Sequence, residues 1–150
     1  MEGSISKLLN IIDKVNDGVK QIVQVVKCNS ILSLRQLILA VYHTIKAFKR
    51  GRNIAKKPYL ELLLRLSGQK QIKDAINILG VPEKADKACL IITVCENCSS
   101  NVPNIIKLLE SMGILLSENI SYCFTPLHRQ PEIVETEREL IMRSALIDLL

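Results

Sequence analysis

The stretch Ala88-Cys-Leu-Ile-Ile-Thr-Val-Cys95 constrains this chain more than any other part of it. It carries no charge, is rich in β-branched side chains and is too short for a buried helix, so it reads as a buried strand. Such a strand has to be paired and covered. Val19-Lys-Gln-Ile-Val-Gln-Val-Val26 is the second β-branched run and predicts a partner strand. Asn16-Asp17-Gly18 just ahead of it is a strong turn signal that, with its flanks, allows a hairpin. Residues 5–12 are apolar but short, and strand and helix both stay open there.

The remaining patterns are helical. Ser33 is a plausible N-cap, after which Leu34, Leu37, Ile38, Val41, Ile45 and Phe48 fall on one face until Gly51. Pro58 at a favoured first position opens a second helix that stops at Ser67-Gly68. A third, from about Lys70 to Leu79, places Ile72, Ala75, Ile76 and Leu79 on one face and ends at Gly80. Pro103–Met112 and Glu132–Leu150 read as two more, the last with acidic residues in its first turns, where the helix dipole favours them. Strands mixed with helices, without βαβ repeats, predict an α+β two-layer sandwich, a small sheet packed with several helices in a single domain over residues 1–150. Hydrophobic residues at 48% and charged residues at 23% are those of a folded globular chain.

Several functional classes are disfavoured. No apolar run reaches the ~18–20 residues that span a bilayer, and Met1-Glu2-Gly3-Ser4 lacks the basic start of a signal peptide. The expectation is a cytoplasmic chain without membrane attachment, whose five cysteines are thiols. Cys95-Glu-Asn-Cys98 is a CxxC after a strand, but a zinc site needs two more ligands, and Cys89, Cys123, His43 and His128 are scattered in sequence. A redox CxxC opens a helix, whereas Ser99, Ser100 and Asn101 intervene here. No phosphate-binding glycine loop, HExxH or GxSxG is present. No catalytic residue, metal or cofactor is expected, and the chain reads as a non-enzyme.

Charge is the informative property. Residues 46–73 hold nine basic side chains and one acidic one, Glu61, a net +8 against +5 for the whole chain. Clustering of this kind is the electrostatic footprint of a phosphate-bearing partner. Aromatic residues at 3% argue against a broad base-stacking platform, although Tyr59 beside Lys56 and Lys57 offers one ring, with a core-facing role as its alternative. In Ser67-Gly68-Gln69-Lys70-Gln71 the glycine permits close approach to the backbone, and the following helix start attracts anions; an ordinary helix–turn–helix corner with solvated polar residues is the alternative, which composition alone favours. Lys56, Lys57, Tyr59, Arg65, Gln69 and Lys70 are therefore the candidate nucleic-acid-contacting residues.

The block from Lys56 to Gly80, with Glu61-Leu62-Leu63, then Ser67-Gly68-x-Lys70-Gln71-Ile72-x-x-Ala75-Ile76 and Gly80, resembles the signature of the kinase-binding subunit of the KEOPS complex. The order of elements over residues 19–150 is similar to that family as well, and the archaeal branch fits best. The resemblance implies a non-catalytic regulatory subunit. Its assembly installs a threonylcarbamoyl group on the adenosine next to the tRNA anticodon, the chemistry belonging to the catalytic subunit and a small atypical kinase. The family member docks on that kinase, supports its activity, and in archaea captures the 3′ CCA end of tRNA. A structural adaptor that holds the kinase without touching RNA is the alternative.

Two partners bound at once need separate surfaces. Residues 132–150 carry Glu132, Glu135, Glu137, Glu139 and Asp148 against Arg138 and Arg143, so they would repel RNA. If Leu140, Ile141, Ser144 and Ile147 face the protein's own core, Met142, Leu146, Leu149 and Leu150 remain on another side as candidate kinase-binding residues. The alternative is that the chain end simply packs inside.

Overall fold

A computed structural model describes residues 10–16, 22–85, 87–93, 102–111 and Cys123. The elements run α1 (residues 10–16), β1 (Val23–Lys27), α2 (Leu34–Lys49), α3 (Pro58–Ser67), α4 (Ile72–Leu79), β2 (Ala88–Ile92) and α5 (Val102–Ser111). β1 and β2 pair antiparallel in the register Val23↔Ile92 to Lys27↔Ala88. Thr93 extends the ladder, donating from its amide to the Ile22 carbonyl at 3.0 Å and accepting from the Ile22 amide on its hydroxyl at 2.9 Å. The class is α+β, as the pattern of strands and helices implies.

Side chains alternate across the pleat, so the pairing sorts the core into two clusters. Ile22, Val26, Cys89 and Ile91 pack with Ile31, Ala40, Leu62 to Leu64, Leu66, Ala75 and Leu79 from the helical layer α2–α4. Val23 and Val25, with Leu90 and Ile92 opposite them, pack with Ile11, Ile12, Val15 and Leu109 of α1 and α5. The hairpin allowed by Asn16-Asp17-Gly18 does not form: the segment before the turn is helical and β1 pairs with the distant β2. Asn16 instead joins helix to strand. Its amide donates to the Ile12 and Val23 carbonyls, both at 2.7 Å, and its oxygen accepts from the Val23 amide at 3.0 Å. One side chain thus links α1 to β1 and satisfies both polar groups of the first β1 residue.

α2 begins as expected, with Ser33 extended and its hydroxyl accepting from the Gln36 amide. Its buried face differs from the expected one. Gln36, Ala40, Thr44 and Ala47 are buried, whereas Leu34, Ile38 and Ile45 stand 58%, 57% and 43% exposed. Leu37 and Val41, at the margin, still pack on the core. The physical reason lies in α3, whose Leu62, Leu63, Leu64 and Leu66 are all buried. A helix that presents this many leucines is approached closely only by small side chains, so the Ala–Thr–Ala strip of α2 wins over its larger neighbours. Gln36 seals the contact, accepting from the Leu32 amide at 2.8 Å and donating to the Leu66 carbonyl at 3.0 Å.

α3 starts on Pro58 and ends on Gly68 in the left-handed conformation at φ 68°. α4 buries Ala75 and Leu79, while Ile76, expected beside them, is 48% exposed. Gly80 closes α4 with its amide 2.7 Å from the Ile76 carbonyl, and a Cβ there would lie 2.4 Å from that oxygen. Among the described residues no helix is long and apolar enough to cross a membrane. The C-terminal segment 132–150 and Cys95-Glu-Asn-Cys98 lie outside the described residues.

Candidate nucleic-acid interface

The basic stretch is built from the end of α2, the connector to α3, and the corner after α3. Lys46 and Lys49 occupy the last turn of α2, where cations suit the helix dipole, and Arg50 caps it. Gly51 turns the chain in the left-handed region at φ 65°. Arg52 and Lys56 are exposed and Lys57 half-exposed; beyond α3, Lys70 and Lys73 are exposed and Gln69 half-exposed. His43 adds nothing to this field at neutral pH: burial, and then the Arg65 and Lys46 charges, hold its imidazole below the ordinary histidine range.

The connector owes its shape to a buried carboxylate. Glu61, fully buried, accepts on one oxygen from the Ile54 amide at 3.0 Å and the Ala55 amide at 2.7 Å. On the other it accepts from Arg65 Nε at 3.2 Å and Nη2 at 3.0 Å. Glu61 and Arg65 are one helical turn apart, so the same ion pair that neutralises the carboxylate points it at the connector. Glu61 therefore holds residues 54 and 55 down while Arg52 and Lys56 on either side face solvent.

This arrangement corrects one expected contact. Arg65 is only 2% exposed and its guanidinium is committed to Glu61, so it does not reach a phosphate at the surface. The signal was available in the sequence: an i, i+4 Glu–Arg pair embedded in Leu60, Leu62–Leu64 and Leu66 is a pair inside a helix buried all round.

Lys57 and Tyr59 are half-buried and meet α1. Lys57 Nζ lies 2.9 Å from Asp13 Oδ1 and 5.7 Å from the Tyr59 ring centre, and the Tyr59 hydroxyl donates to the same carboxylate oxygen. The hydrogen bond from Tyr59 and then that from Lys57 hold the Asp13 carboxyl below its usual value. Tyr59 itself is pushed up, first by burial and then by Asp13. The Tyr59 carbonyl also accepts from the side-chain Nε2 of Gln24 in β1 at 2.8 Å. Tyr59 thus docks α1 and β1 onto the start of α3, which was its alternative role.

At the other end of α3, Ser67 turns its hydroxyl back to the Leu63 carbonyl at 2.8 Å, and the Gln69 amide donates to the Leu64 carbonyl at 3.2 Å. Gln71 begins α4 without capping it through its side chain. The two candidate clusters, Lys56 with Lys57 and Gln69 with Lys70, therefore sit at opposite ends of a ten-residue helix, roughly 15 Å apart. No single phosphate spans that distance. An extended strand does.

With this geometry in place, comparison with known proteins is decisive for the family. Residues 4–126 match the model of the family described as kinase binding protein CGI-121. The chain belongs to that family. A KEOPS complex subunit Cgi121 from Pyrococcus abyssi is 43% identical over 97 residues, which is 65% of this chain and 50% of that relative. A regulatory protein Cgi121 from Methanocaldococcus jannaschii is 44% identical over 57 residues, 38% of this chain and 36% of the relative. The matched part thus spans about half, or less, of these archaeal relatives. The CGI-121 match takes in the connector, α3, the Gly68 corner and α4; Met142, Leu146, Leu149 and Leu150 lie beyond it and outside the described residues.

Proposed function

We propose that this chain is a non-catalytic, regulatory subunit of a KEOPS-type tRNA-modifying assembly, binding both its small atypical kinase and tRNA, the latter through a strand laid along α3. Membership of the kinase-binding CGI-121 family supports the assembly and the kinase. The observation that carries the RNA half is the Glu61-anchored connector, which presents Arg52 and Lys56 at one end of α3 while Gln69 and Lys70 stand at the other. Single-stranded RNA such as a tRNA 3′ end has the reach and the phosphate spacing for this path. Through the kinase the chain would join the catalytic subunit, with cytoplasmic tRNA as the shared substrate.

The kinase needs a surface away from this charge. Met142, Leu146, Leu149 and Leu150 remain the proposed contacts. A second apolar surface is the exposed strip Leu34, Ile38, Tyr42 and Ile45 of α2, spaced by helical turns, of which the sequence pattern had assigned Leu34, Ile38 and Ile45 to the core. It favours the adaptor reading, in which the chain holds the kinase and leaves RNA to other subunits.

Binding of unmodified tRNA, measured against salt, separates the two readings. Reversing both Lys56 and Lys70 to Glu leaves the Asp13–Lys57–Tyr59 cluster and the fold intact. Each lost phosphate contact lowers the slope of log affinity against log salt by about 0.7 for single-stranded RNA. Unchanged tRNA affinity of the double variant at low salt would leave the adaptor reading standing.

A further inference from the structure

The basic surface and the family do not account for a group of thiols on the sheet. Cys89 is 2% exposed in the centre of β2, directly opposite Val26. Cys28, in the turn that follows β1, packs half-buried on the same core cluster. Cys123 joins them from far along the chain: its carbonyl accepts from the Ile31 amide at 3.2 Å, and its side chain packs half-buried on that cluster. The Cys89 thiol is in hydrogen-bonding contact with Cys123 and with Cys28. Three cysteines that are scattered in sequence are thus neighbours in space. Among the described residues no group of three or more potential ligands has the geometry to hold a metal ion, so the chemistry left to this cluster is that of sulfur itself.

We infer that Cys89 and Cys123 form an oxidisable thiol pair, in which Cys123 is the residue attacked by a hydroperoxide and Cys89 the residue that resolves it. The division of roles follows from exposure. Cys123 and Cys28 are reachable from solvent, whereas Cys89 is enclosed, and burial, followed by the neighbouring Cys123 and Cys28, keeps its thiol protonated well above the ordinary range. A buried neutral thiol is a poor first nucleophile towards peroxide. Placed against a sulfenic acid, it is a suitable second one. Of the two half-buried thiols beside Cys89, Cys123 acts on it more strongly than Cys28 does and is assigned as its partner; a bond from Cys28 is the competing outcome that the experiment below distinguishes.

The steps balance. The Cys123 thiol and a hydroperoxide give the Cys123 sulfenic acid and an alcohol. The Cys89 sulfur then bonds to the Cys123 sulfur, the S–O bond of the sulfenic acid breaks, and the Cys89 proton leaves with the hydroxyl as water. Two thiols are oxidised and one peroxide is reduced. The product ties β2 to Cys123, whose carbonyl the Ile31 amide holds, and α5 lies in sequence within the covalent loop.

The test uses the full chain carrying Cys95→Ser and Cys98→Ser, in which three cysteines remain. The reduced protein is treated with tert-butyl hydroperoxide, alkylated with N-ethylmaleimide, and analysed by intact mass and non-reducing peptide mapping. The expected result is a loss of about 2 Da, the two thiol hydrogens, with a single alkylated cysteine, Cys28, and a Cys89–Cys123 cross-linked peptide. Adding Cys28→Ala leaves the cross-link in place; adding Cys89→Ala stops the reaction at a Cys123 sulfenic acid that dimedone traps. Three alkylated thiols after treatment, or a bond from Cys28 to either partner, overturns the assignment. If the double serine variant does not fold, the Cys89–Cys123 peptide is sought in the unaltered chain, and finding only Cys95–Cys98 there overturns it equally.

Discussion

Replacing Glu61 by alanine is the perturbation that probes both the core and the candidate interface. The carboxylate is fully buried and receives four hydrogen bonds, two from the connector amides of Ile54 and Ala55 and two from Arg65. Its removal leaves the Arg65 guanidinium, 2% exposed, without that counter-charge. Breaking a buried pair from one side costs about 3–5 kcal/mol. Ile54 is exposed, so its amide is expected to recover its bond from water; Ala55 is 3% exposed, and its amide is expected not to. A loss of about 4 kcal/mol is expected, against a typical domain stability of about 5–15 kcal/mol. In urea, where the slope for a small domain is about 2 kcal/mol per molar, the midpoint should fall by about 2 M.

The double variant Glu61→Leu with Arg65→Met separates the charge from the anchoring. Removing both charges of a buried pair is often close to neutral, so the remaining penalty is that of the unanchored connector amides, about 1–3 kcal/mol. Stability should recover substantially while tRNA affinity stays low, because Arg52 and Lys56 are no longer held in place. A loss below about 1 kcal/mol in Glu61→Ala, or a double variant as unstable as the single one, would show that the pair does not govern this region.

Three further outcomes follow from single contacts. Asp13 is held below the usual carboxylate range by Tyr59 and Lys57, so its ionised form stabilises the fold above about pH 4, and that contribution is lost as pH falls through the depressed folded value; Asp13→Asn should flatten the urea midpoint between pH 5 and the acid limit. Gly80→Ala puts a Cβ 2.4 Å from the Ile76 carbonyl oxygen, and a calorimetric melting point lowered by several degrees, about 1–3 kcal/mol of overpacking, is expected. Leu146→Arg should weaken kinase capture while tRNA binding and melting persist; Ile38→Asp in parallel reports whether the α2 strip carries the kinase instead.

What the sequence made legible was whatever depended on local chemistry. The β2 run, the Ser33 cap, Pro58 at the start of α3 and Gly68 at its end all appear where expected, because each is decided within a few residues. What it misplaced depended on partners far along the chain. The bridging role of Asn16 between α1 and β1 went unseen because its partner Val23 could not be foreseen. Hydropathy ranked Leu34, Ile38 and Ile45 above Ala40, Thr44 and Ala47, yet the closeness of α2 to the leucine-rich α3 selects for small size. The thiol cluster was invisible for the same reason: only the β1–β2 register and the Ile31–Cys123 hydrogen bond bring Cys28, Cys89 and Cys123 together.

The misplacement of Arg65 does not weaken the electrostatic argument for RNA. Within residues 46–73 the nine basic and one acidic side chains sum to +8. The structure withdraws Arg65 and Glu61 together, as a buried pair of zero net charge. Eight basic side chains remain exposed or half-exposed, so the stretch still presents +8. Asp13, reaching in from α1, offsets one of them at Lys57. An exposed pair of that kind contributes little to stability and leaves Lys56 and Lys70 free of it. The fold therefore uses its one acidic residue in this stretch to shape the connector from inside, and leaves the outside positive. A chain whose only requirement was a stable adaptor would gain nothing from concentrating like charge at both ends of one short helix, since mutual repulsion opposes folding. A polyanion laid along α3 removes that repulsion when it binds, and its affinity should accordingly fall steeply as salt rises.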